Sequence, residues 1–455
     1  MTMPGVSIAA SGLNAASVEM EVVSDNLANA ATPGYLAQTA ETTALAGGAN
    51  AVGSGVEVSG ISVGYSAVLS ALMNSTAGQA SASSASASVL STAQSLFQEP
   101  SSTGLQAQLS TFWSDWNAVA ASPGNAATYD SLVGAAQQVT ESMNSLAAGL
   151  TTTSQDALSQ IDNQITQVNQ QLRQLSTLNQ QAVAANGSGS GQNGITEEQQ
   201  SLVSTIASEI GGSASVGPTG AVTYKVGGIN LVQGVNASQL ETAGTGGSTT
   251  IVLEGTTTTV PVDSGTVAGL VSAMGAISGW QSSLDGVATT LASTVNTQLE
   301  AGVSWSPVGS STATSSPGTA MFSFSGTPSA ATIEVSPAMV ADPTTIAAGT
   351  SAATGPLDGG NAQAVAALSD APSGADALYQ TLVGTVGSAV QAANASETAT
   401  AVAASQALST ASSAEGVNQN DQLVTMLNDQ QAYEASAKVI STATSMVQAL
   451  LQAVT

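Results

Sequence analysis

Four places in the chain bring together residue types that could do chemistry. Asp263-Ser264-Gly265, after Val260-Pro261-Val262, spells one half of an aspartic-protease site. That mechanism needs two carboxylates sharing a proton, and the chain has no second Asp-Ser/Thr-Gly, so only a homodimer could complete it. The same residues also suit a turn into a helix, with Asp263 or Ser264 as its cap. Gly189, Gly191 and Gly194 have the spacing of a dinucleotide loop, but such a loop must follow a strand. Here a helical pattern precedes it, and a helix–helix turn is expected. Glu197-Glu198 could be metal or acid–base carboxylates, but at the start of a short helix they are read as first-turn acids that suit its dipole. Phe112, Trp113 and Trp116 could form a ligand platform, but their helical spacing assigns them to a core.

The wider inventory narrows the chemistry further. His and Cys are both absent, which excludes zinc sites, Cys or Ser–His nucleophiles, haem ligation by His, and disulfides. Lys and Arg number 3 (Arg173, Lys225, Lys438) against 29 Asp and Glu, a formal net charge of −26. Three cations cannot displace phosphate counterions, so nucleic acid is excluded as a partner, and an anionic membrane would repel the chain. No catalytic, cofactor-binding or metal-ligating residue is expected, and the chain reads as a non-enzyme.

The 455 residues allow roughly three domains. Only 7% are charged, against about 25% in ordinary soluble proteins, so Ser, Thr, Asn and Gln must cover the surface. Aromatic residues make up 3%, which predicts thin, close helix–helix seams. Residues 1–12 carry no Lys or Arg and so lack the start of a cleavable secretory signal. The apolar run Val439–Val454 is broken by Ser, Thr and Gln and falls short of the roughly 20 residues that span a bilayer.

Periodicity then places the elements. Leu13, Ala16, Met20, Val23, Leu27 and Ala30 form one narrow apolar stripe on a helix, stopped at Thr32-Pro33-Gly34-Tyr35. Residues 41–66 read as an extended linker or hairpin. Helical seams follow at Leu105–Val119, Leu132–Leu150 and Leu158–Leu175, with a short helix at about Thr196–Ile210. Alternation over 213–262 predicts a small antiparallel β unit, Val267–Leu299 a helix, and 302–356 loops with short strands. From about Asn361 the chain is helical, ending in the stripe Met426, Gln430, Tyr433, Ala437, Ile440, Thr444, Val447, Leu451 and Val454. The two end stripes match, and neither can be buried alone. They are expected to pair, or to pack on other subunits.

Ser24-Asp25-Asn26-Leu27-Ala28-Asn29-Ala30-Ala31-Thr32-Pro33-Gly34-Tyr35 resembles the "SxNLANxxTPGY" signature of flagellar rod, hook and hook-associated proteins. Glu415-Gly416-Val417-Asn418 and Gln430–Ile440 resemble that family's C-terminal end. Phe112 to Ala136, and Gly227 to Gly234, resemble the hook–filament junction branch of hook-associated proteins. Two runs depart from it: Gly194–Val203 lacks an expected Arg, and Asn296–Gly302 lacks an expected His.

The resemblance implies a structural axial protein joining hook to filament, exported unfolded without a cleavable signal and located outside the cell in the flagellum. A hook or rod subunit is the alternative within the class; a secreted hydrolase built on Asp263 is the alternative outside it. The implied fold is mainly α with a small β insertion. Residues 1–38 and 412–455 form an inner coiled-coil domain, 39–212 and 357–411 a helical middle domain, and 213–356 an outer β-containing insertion with a helix at about 266–300. The assembly residues it implies are Leu13, Met20, Val23, Leu27, Asn29, Thr32, Pro33, Gly34 and Tyr35, with Gln430, Tyr433, Ala437, Ile440, Val447 and Leu451. The implied partners are further copies in a ring or helical layer, the hook protein, the filament-side junction protein, and an export chaperone on the C-terminal helix.

Overall fold

The computed structural model describes residues 4–32, 35, 37–46, 53–64, 66–188 and 192–454. The first helix, α1 (Pro4–Asn29), leads into an antiparallel hairpin of β1 (Gln38–Leu45) and β2 (Gly55–Val63), with a bulge at Glu41/Thr42. The alternating run read from the sequence as linker or hairpin is therefore a hairpin.

Helix α2 (Ala67–Ser95) comes next and has no counterpart in the periodicity, because Ala and Ser fill most of it between Met73 and Val89. Ala is the best helix former, and small side chains let neighbouring backbones come close. Gly78 shows how close: a Cβ there would sit 2.8 Å from the Ala207 carbonyl. Ser66 caps the helix by accepting from the Leu69 N–H at 3.3 Å.

The helical body follows: α3 (Leu105–Ala121), α4 (Ala126–Ser188) and α5 (Gln192–Ile210). The seams Leu132–Leu150 and Leu158–Leu175 lie on one helix of 63 residues, about 95 Å long. Strands β3 (Ser213–Val216), β4 (Val222–Val226), β5 (Ile229–Gln233) and β6 (Asn236–Ala237) make a four-stranded antiparallel sheet in that order, and β7 (Leu240–Ala243) pairs with β8 (Thr250–Leu253). Side-chain amides of α4 fasten these strands. Asn169 both donates to and accepts from Leu240 backbone at 2.8 Å. Asn179 does the same with Val222, also at 2.8 Å.

Helix α6 (Thr266–Glu300) runs through the body, packed on α2, α4 and, beyond it in the chain, α9 (Ala375–Glu415). Between α6 and α9 lie β9 (Val303–Ser306), β10 (Thr314–Pro317), β11 (Phe322–Phe324), β12 (Ile333–Val335), α7 (Pro337–Ala341) and α8 (Gly360–Ala366). The device seen on α4 recurs: Asn296 of α6 accepts from the Met321 and Phe322 N–H groups at 2.8 and 3.0 Å and donates to the Phe322 carbonyl at 2.8 Å. The chain closes with α10 (Gln419–Val454), which packs against α1. The fold is thus mainly helical with small sheets, and its terminal helices pair, as the sequence implied.

Three of the four motifs resolve here. Phe112, Trp113 and Trp116 are core; Phe112 packs edge-on to Trp116 at 6.2 Å and lies 5.8 Å from Phe322. Phe97 and Trp280 form a separate edge-on pair at 6.3 Å. The cap of α6 is Gly265, not Asp263 or Ser264, and it has no side-chain cap bond. Its φ of +85° and the 2.5 Å that would separate a Cβ from the Ile210 N leave room only for glycine. Glu197 and Glu198 fall beyond the first turn, since α5 begins at Gln192, and they accept from Gln38 and Gln174 amides instead of sitting at a helix end. Gly189, Ser190 and Gly191 lie outside the described residues.

Candidate assembly interface

Helices α1 and α10 run antiparallel. Asn26 meets Gln422 through a 3.1 Å hydrogen bond, while a Cβ on Gly12 would touch Ser436 Oγ at 3.1 Å. The positions that α1 buries are Ala9, Ala15, Ala16, Val22, Val23 and Asn26. Leu13, Met20 and Leu27 flank that line half-buried, because α1 also packs against the β1–β2 hairpin and so has two covered sides. On α10, Ala437 and Ile440 are half-buried, whereas Gln430, Tyr433, Val447 and Leu451 are exposed. Leu423, Val424, Leu427, Val439 and Met446 are exposed as well, so α10 carries apolar surface well beyond its contact with α1.

The stop after α1 is held by polar side chains. Asn26 is 0% exposed. Its amide donates to the Gln38 carbonyl at 2.7 Å and to Gln422 at 3.1 Å, and its carbonyl accepts from the Gln38 N–H at 2.8 Å. The Tyr35 hydroxyl donates to Asp25 at 2.9 Å and to Asn26 at 3.1 Å; burial first, then the Asp25 bond and charge, push that phenol well up. Asn29 donates back to Asp25 within the helix, and Thr32 is exposed, its carbonyl accepting from the Tyr35 N–H at 3.2 Å. Pro33 and Gly34 lie outside the described residues. One buried amide therefore ties α1, the turn, β1 and α10 together.

A second knot lies at the end of α9. Glu415, buried, accepts from the Ser66 N–H at 2.5 Å through its carboxylate, and from the Ala37 N–H at 2.9 Å through its backbone carbonyl. It fixes the start of α2 and the entry to β1 together. The α1–α10 seam also holds an acid pair. Asp429 is 8% exposed, and its Oδ2 has no hydrogen-bond partner. Burial pushes its carboxyl up; Glu19 across the seam is pushed up by burial and then by the Asp429 charge.

Sequence reasoning did not single out Asn26, Glu415, Glu19 or Asp429. A buried Asn on an otherwise apolar stripe was a readable signal for the first. Glu415 opens the C-terminal signature run, but its bond to Ser66, 349 positions away, leaves no local pattern.

Three protein-family profiles match the chain, and together they span its ends and its body. The flagella basal body rod protein profile matches residues 7–35, and the flagellar basal body rod FlgEFG protein C-terminal profile matches residues 408–453. The profile of the flagellar hook-associated protein FlgK helical domain matches residues 90–322, more than half of the chain. The chain belongs to the FlgK family. No curated protein matches it. Among solved structures it is similar to the flagellar hook junction protein FlgK from Burkholderia pseudomallei, at 22% identity and a TM-score of 0.49, over 56% of this chain and 46% of that one. The match thus spans under half of that protein's length. The FlgK family is one of structural flagellar axial proteins, and nothing in these matches supports a hydrolase. Asp263 itself is exposed in the turn before α6, and Gly265 serves the close approach of α5 and α2. Among the described residues no group of acidic side chains is placed to hold a metal ion, and no helix is long and apolar enough to cross a membrane.

Proposed function

We propose that this chain is the structural joint between flagellar hook and filament, assembled from several copies through its terminal helices. The observation that carries the reading is the order of matched regions: a hook-associated helical domain held between two rod-type termini that pair with each other. In this reading residues 1–38 and 412–455 form the inner layer, the helical body lies outside it, and the strands of 213–356 face outward. The assembly residues are those of the two terminal stripes, from Leu13 to Tyr35 and from Gln430 to Leu451. The exposed apolar side of α10 supports a partner there, since large contiguous apolar surface on a chain of this charge is unfavourable in water. That partner is a further copy in the assembled layer and an export chaperone before assembly, with the hook protein and the filament-side junction protein above and below. Export would precede folding, and the chain would reside outside the cell.

Immunogold labelling of intact flagella with antibody against residues 213–356 tests the assignment. A single band at the hook–filament boundary is expected. Label along the whole hook or rod would move the chain to a sibling class, and unlabelled flagella would overturn the axial role.

A further inference from the structure

The terminal unit carries a groove and a projecting apolar helix end that fit each other but cannot meet within one chain. The groove, a cavity of about 660 Å³, lies between α1, the turn end of the hairpin and α10. Ile8, Gly12, Gly55, Val56, Ser436 and Val439 are among its walls, and among the described residues no charged side chain lines it. Its hairpin wall is fixed to α1 by the Val56 N–H, which donates to Ser11 Oγ at 3.2 Å. Glycines let its walls come close: a Cβ on Gly55 would run into Ser11, and one on Gly12 would lie 3.1 Å from Ser436 Oγ.

The projecting end is the last part of α10. In the register set by Asn26–Gln422 and Gly12–Ser436, Pro4 lies level with about Thr444. Residues 445–454 of α10 therefore run past the first described turn of α1, over about 15 Å at 1.5 Å per residue. Met446 is 59% exposed and Leu451 63%. From Val439 to Val454 the sequence has no charged residue.

We infer that the projecting end of α10 in one copy occupies the groove of the next copy, a contact that rests on the proposed self-assembly of the terminal helices and specifies its geometry. Two observations select a second copy as the occupant. Val439 in the groove wall and Met446 on the projecting end belong to one unbroken helix and stand about 10 Å apart along it, so a chain cannot fill its own groove. Copies bearing a formal net charge of −26 repel one another, and these two surfaces are both free of charge, so contact there adds least to that repulsion. Different surfaces meet on the two copies, so unless two copies exchange their helix ends reciprocally the contact is head-to-tail and propagates into a ring or a helix.

The chain contains no Cys, which makes paired cysteines a clean probe. Val56→Cys and Met446→Cys proteins, mixed in ammonium sulfate to screen charge and strengthen apolar burial, are expected to form a disulfide-linked dimer that neither forms alone. Sedimentation of Met446→Glu should show self-association weakened about tenfold or more, with an unchanged melting temperature because the residue is exposed. Wild-type self-association with no mixed crosslink and no effect of Met446→Glu overturns this contact while leaving the axial role standing. A wild type that stays monomeric throughout overturns both.

Discussion

Replacing Asn26 with Ala removes the one side chain that joins α1, β1 and α10. The Gln38 N–H and carbonyl, bonded to it at 2.8 and 2.7 Å, lose their partners, and the Gln422 amide and Tyr35 hydroxyl each lose one bond. Leaving a buried polar group unsatisfied costs about 1–3 kcal/mol, and Gln38 is only half-buried, so its two groups recover part of this from water. A net loss of about 2–4 kcal/mol follows for the terminal unit. Amide hydrogen exchange localises it: opening at the start of β1 should accelerate about 30- to 1000-fold in the variant, at 1.4 kcal/mol per factor of ten. The helical body around α3, α4 and α6 should keep its protection. Asn29→Ala is the matched control, because Asn29 bonds only to Asp25 one turn earlier, at 3.1 Å, and should change exchange by less than about tenfold. Equal effects at both positions, or loss of protection spread over the whole molecule, would refute the idea that Asn26 is the local tie.

Three further outcomes are expected. Glu19 and Asp429 hold their protons more tightly when α1 and α10 are paired, so their contribution to pairing is complete below the ordinary carboxylate range and declines as pH rises through their raised values. Exchange protection of these helices, corrected for intrinsic rates, should thus be greater near pH 4.5 than near 7.5, and Asp429→Asn should flatten the difference; protection that grows with pH would contradict this. Gly269→Ala places a Cβ inside contact distance of the Ala82 carbonyl, and forcing α2 from α6 should cost about 1–3 kcal/mol in denaturant unfolding, whereas Gly275→Ala meets no neighbour and should be neutral or slightly stabilising. Burial pushes the Asp358 carboxyl up, but donors from Thr350, Thr354 and Gly360 outweigh it and hold the group well below its ordinary value. The 350–360 loop should keep its order in acid until pH falls through that depressed value, and Asp358→Asn should loosen it at neutral pH, read as faster exchange at the Thr350 N–H.

Much of the helical architecture was legible because apolar residues at spacings of three and four must share a helix face. Leu109, Phe112, Trp116 and Val119 are all buried where that rule puts them. The rule was silent on α2, where alanine and serine form a helix whose packing rests on close backbone approach rather than on large side chains. It also placed the α1 stripe on Leu13, Ala16, Met20, Val23, Leu27 and Ala30; Ala16 and Val23 are buried there, whereas the other four are half-buried and Val22 and Asn26 are buried off the stripe. Long-range polar ties such as Glu415 to Ser66 leave no local pattern, because one carboxylate satisfies a backbone group from a distant segment without altering the periodicity of either.

The asparagines on α4 and α6 have a consequence for how such a chain can change. Asn169, Asn179 and Asn296 present to the neighbouring strands the donor and acceptor that another strand would supply. Each β segment is thereby docked at a few fixed points on a helix and needs no continuous sheet running through the molecule. Insertions or trimmings between those points, as in the exposed turn at residues 254–258, leave the docking amides untouched. The β segments are in that sense interchangeable: such a chain could acquire, lose or remodel them while its helices kept the same spacing.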